Sequence, residues 1–62
     1  DPFTRYYVAC LHALRGETAA ALDSLERVAR TLPALTAARA RTDIDLAALR
    51  GEPRFEALIH RP

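Results

Sequence analysis

The sequence predicts an all-α fold. Three observations carry that prediction. Apolar residues recur three and four positions apart through most of the chain, helix-starting and helix-stopping residues punctuate those runs, and no segment sustains the apolar–polar alternation of a strand.

Asp1-Pro2 opens the first helix. The carboxylate can accept from free N–H groups at a helix start, and Pro is tolerated in the first turn. Phe3, Tyr7, Cys10, Leu11 and Leu14 follow at helical spacing. Arg15 suits the negative end of the dipole, and Gly16 supplies a left-handed stop. The spacing predicts a helix over residues 2–15. Glu17-Thr18 opens the second helix, 18–31, with Ala21, Leu22, Leu25, Val28, Ala29 and Leu32 as one apolar stripe. Asp23 with Arg27, and Glu26 with Arg30, stand four apart with the acid first, so surface ion pairs are expected there. Pro33 stops the helix, and a linker this short makes the two helices antiparallel neighbours.

The remaining elements are shorter. A third helix over 34–41 has a thin apolar side made of Leu35, Ala38 and Ala34. Thr42-Asp43 is the cap signal for a fourth, with Ile44, Leu46, Ala47 and Leu49 apolar, ended by Arg50-Gly51. Glu52-Pro53 starts a fifth, with Phe55, Leu58 and Ile59 apolar. Three short helices folding back on a hairpin give two parts, 1–33 and 34–62, of one small unit. Leu46, Leu49, Phe55 and Leu58 are the expected anchors of the tail.

Length limits what this unit can do. A 62-residue chain buries only about 60% of the surface it exposes when unfolded. Its single cysteine, Cys10, rules out an internal disulfide. The core therefore depends on regular helix packing, self-association, or docking onto more of the same protein. The chain begins at Asp1 and contains no Met, which reads as a fragment, a processed product or a trimmed chain. No apolar run approaches 18 residues, so no membrane span is expected. One lone thiol fits a reducing compartment, and a cytoplasmic location is the expectation. All nine basic residues are Arg, a pattern that fits a GC-rich coding bias. The net charge of +1 leaves little electrostatic footprint.

The first part resembles one tetratricopeptide repeat, a helix–turn–helix with small residues at its close contacts and a Pro at its end. The match runs from about Pro2 to Leu35. Ala9, Gly16, Ala21, Leu25 and Pro33 fall at the small, turn, crossing, large apolar and closing positions. Antiparallel helices approach to about 8–10 Å only where side chains are small. Arg5, His12 and Val28 depart from the family pattern. The stretch Thr42–Ile59, with Asp-x-Asp-Leu followed by Pro-Arg-Phe-x-x-Leu, resembles a segment that closes such arrays in bacterial multidomain proteins. Together the resemblances imply the C-terminal end of a longer array, with the third helix as its capping helix.

The resemblance implies a protein–protein interaction scaffold. Phe3, Tyr6, Cys10 and Ala13 would lie near the concave surface where such arrays bind peptides. The competing reading packs them against a neighbouring repeat, and it outweighs the first. A clamp for a C-terminal carboxylate is argued against, because the chain has no Lys and no Asn. Tyr6, Tyr7, Val8 and Leu11 cannot all be covered by the second helix, so a preceding repeat, a second copy or a protein partner is expected to cover some of them.

No enzyme, metal or cofactor is expected. Cys10 and His12 point roughly 200° apart on a helix, and His60 sits in the tail without ligand spacing. Asp43 and Asp45 at a helix start are ordinary capping acids. Arg27, Arg30, Arg39 and Arg41 form the best case for nucleic acid. Two of them already have acidic partners, and the chain is near neutral, so this reading ranks below protein contact. A membrane-surface helix ranks lower still, because the second helix's stripe is needed for its own core. The alternative function is purely structural: the C-terminal cap of a larger enzyme or regulator.

Overall fold

A computed structural model describes residues 1–60, so positions 61 and 62 of the 34–62 tail lie outside the described residues. The architecture is all-α, with no strand among the described residues. Helix α1 spans Pro2–Leu14, α2 Thr18–Thr31 and α3 Pro33–Thr42. A 3-10 helix follows over Ile44–Leu49, and α4 covers Pro53–Ile59.

The helix ends obey the local chemistry. Asp1 caps α1, its side chain accepting from the Phe3 N–H at 3.0 Å. Gly16 carries φ of 77°, the left-handed region that a Cβ would strain. Pro33 belongs to α3 as its first residue, one position ahead of the expected start. Asp43 caps the 3-10 helix by accepting from the Asp45 N–H at 3.0 Å.

α1 and α2 pack along one another, joined by the connection at Arg15–Glu17 that turns the chain back. Small residues make the close approach: Ala9 and Ala13 of α1 and Ala21 of α2 are buried. Leu22, Leu25, Val28 and Ala29 complete the α2 face. The tail then wraps the hairpin. The 3-10 helix packs on α1, α3 on α2, and α4 on both α2 and α3. Leu46, Leu49, Phe55, Leu58 and Ile59 join the side chains of α1 and α2 in one core cluster, with Phe55 fully enclosed.

Four expectations are corrected. On α1 the buried side is Tyr6, Ala9, Cys10 and Ala13, while Phe3, Tyr7, Leu11 and Leu14 stay exposed. Close helix contact selects Ala9 and Ala13, and Tyr6 is buried beside them with its hydroxyl on Asp43 and its ring under Arg39. On α3 the buried residues are Thr36, Ala37 and Ala40, opposite in sense to Leu35, Ala38 and Ala34, which are exposed. An Ala-rich helix has too weak an apolar pattern to orient itself, so the fit against α2 and α4 decides. The fourth helix is of the 3-10 type. Its three-residue period stacks Leu46 over Leu49 toward the core and turns Ile44 and Ala47 outward. Finally, Asp23 and Glu26 bind Arg54 of α4 rather than Arg27 and Arg30, at 2.6 and 2.7 Å. This ion cluster pins α4 to α2. Arg41 secures the other end of α4, its Nε donating to the Ile59 carbonyl at 2.7 Å.

Candidate functional site

Helix α1 has two sides with different fates. The side expected to line a groove faces the chain's own tail. Tyr6, Cys10 and Ala13 are buried there, and of the four residues assigned to a partner only Phe3 is exposed. The cover is the 3-10 helix and the end of α3. The Tyr6 hydroxyl donates to Asp43 Oδ2 at 2.7 Å, and the Cys10 thiol points at the same oxygen from 3.9 Å. The guanidinium carbon of Arg39 lies 4.8 Å from the Tyr6 ring centroid and 5.5 Å from that of Tyr7, a cation–π clasp over both rings. A peptide would have to displace this tail to reach Tyr6 and Cys10.

The same network sets the protonation of its members. Burial, reinforced by the Asp43 and Asp45 carboxylates, pushes the Cys10 thiol up to about 11. Burial, then the hydrogen bond to Asp43, raises the Tyr6 phenol above its ordinary value. A thiol held neutral at physiological pH is a poor nucleophile. Cys10, Asp43 and Asp45 bring three donor atoms within 4.8 Å of one another. Both Asp43 oxygens already have partners, Asp45 N–H on one and the Tyr6 hydroxyl on the other. The geometry is a cap bonded to a helix. This constellation joins residues 33 positions apart, and its only trace in the sequence is a capping acid.

Polar groups elsewhere are also engaged within the chain. His12 Nδ1 lies 2.7 Å from Glu17 Oε1. The His12 contact, then Arg15, holds the Glu17 carboxyl below the usual carboxylate range. Of the four arginines considered for nucleic acid, Arg39 is stacked on tyrosines and Arg41 bonds a backbone carbonyl. Arg27 and Arg30 line a cleft of ≈ 450 Å³ with His12, Asp23, Ser24 and Glu26. Its lining is charged, unlike the largely apolar walls that enclose small ligands. No hydrogen bond joins Ser24 to His12 or Asp23 among the described residues, so these three do not form a nucleophile–base pair.

The other side of α1 is largely open, with the Arg39 guanidinium over the Tyr7 ring. Phe3, Tyr7, Leu11 and Leu14 are 43–63% exposed. At 100° per residue they form one continuous stripe along the whole helix, beside the buried side. Val8 borders it, also exposed. Of the residues expected to pack the repeat, Ala9, Ala21 and Leu25 are buried in the core, Gly16 makes the exposed turn between α1 and α2, and Pro33 is the exposed first residue of α3. No helix among the described residues is long and apolar enough to cross a membrane. No protein-family model matches the chain, and no curated protein or solved structure matches it either.

Proposed function

We propose that this chain is a non-enzymatic protein–protein interaction module, a tetratricopeptide-like hairpin closed on one side by its own tail and open on the other. The observation that carries the reading is the apolar stripe of Phe3, Tyr7, Leu11 and Leu14. Large apolar side chains aligned on one helix face are what another helix packs against. The buried state of Tyr6, Cys10 and Ala13 moves the contact from the groove side to this stripe.

A second reading has its own support. A chain whose tail occupies the groove side is built to end an array, with the stripe covered by a preceding hairpin of the parent protein. That makes it a structural C-terminal cap, in keeping with the resemblance of the Thr42–Ile59 segment.

One experiment tests whether the stripe accepts a helical surface. A designed tetratricopeptide hairpin is joined directly ahead of Asp1, and thermal unfolding is followed by circular dichroism. A single cooperative transition, split in two by Leu11→Gln with Leu14→Gln, is the expected result. Two independent transitions in the parent fusion overturn the reading.

A further inference from the structure

We draw no further inference here: the strongest candidate, the exposed apolar side of α1 formed by Phe3, Tyr7, Leu11 and Leu14, belongs to the site already described, and nothing in the structure shows what covers it.

Discussion

The Tyr6 hydroxyl donates a 2.7 Å hydrogen bond to Asp43 Oδ2, tying the middle of α1 to the N-cap of the 3-10 helix across 37 positions of sequence. Asp43 thereby does two things at once. One oxygen starts the 3-10 helix through the Asp45 N–H, and the other fastens that helix to α1. The tail covers Tyr6 and Cys10 because this junction holds it there.

Tyr6→Phe keeps the ring under Arg39 and removes only the donor. A hydrogen bond to a charged, half-buried acceptor is worth about 1.5–3 kcal/mol, and that loss is expected in urea unfolding. A change below about 0.5 kcal/mol would mean that apolar packing, not this bond, secures the tail.

Alkaline pH attacks the same junction. Cys10 and Tyr6 hold their protons more tightly in the folded chain than in the unfolded one, so the unfolded chain ionises first as pH rises. Stability is fully present below the thiol's ordinary value of 9.0 and falls as pH climbs toward about 11. The Cys10 share is on the order of 2 kcal/mol. Cys10→Ala should flatten this decline. An equally steep alkaline loss in that variant would assign it to Tyr6 and the arginines.

Phe55 and Leu11 are both large and apolar, yet their replacement should differ sharply. Phe55 of α4 is fully enclosed in the core cluster, and Phe55→Ala should cost about 3–5 kcal/mol. A core this small should lose its cooperative transition. Leu11 is exposed, and Leu11→Gln should stay within about 0.5 kcal/mol in dilute solution. Comparable losses at the two positions would mean that the α1 stripe is covered within a single chain.

Arg54 bridges Asp23 and Glu26, joining α4 to α2 on an exposed surface. Arg54→Gln should lower the melting temperature slightly at low salt. The difference from the parent chain should vanish near 1 M salt, where screening acts over about 3 Å. A salt-independent difference would point to lost packing of the Arg stem instead.

The sequence by itself determined the elements. Asp1-Pro2, Gly16, Pro33, Asp43 and Glu52-Pro53 punctuate the chain where the helices begin and end, because capping and proline geometry are local properties. It also determined the α2 stripe and the tail anchors Leu46, Leu49, Phe55 and Leu58, where large apolar residues had only one helix face to occupy. The tertiary structure alone decided which side of α1 and α3 is buried. On α1, Ala9 and Ala13 allow a close approach while Tyr6 is buried beside them, and on α3, where alanines occupy both sides, packing against α2 and α4 places Ala37 and Ala40 inward. It also chose Arg54 over Arg27 and Arg30 for the acids of α2, and it laid the tail over Tyr6 and Cys10. These pairings join residues about thirty positions apart, whose proximity depends on how whole helices pack, and no periodicity within one helix encodes that.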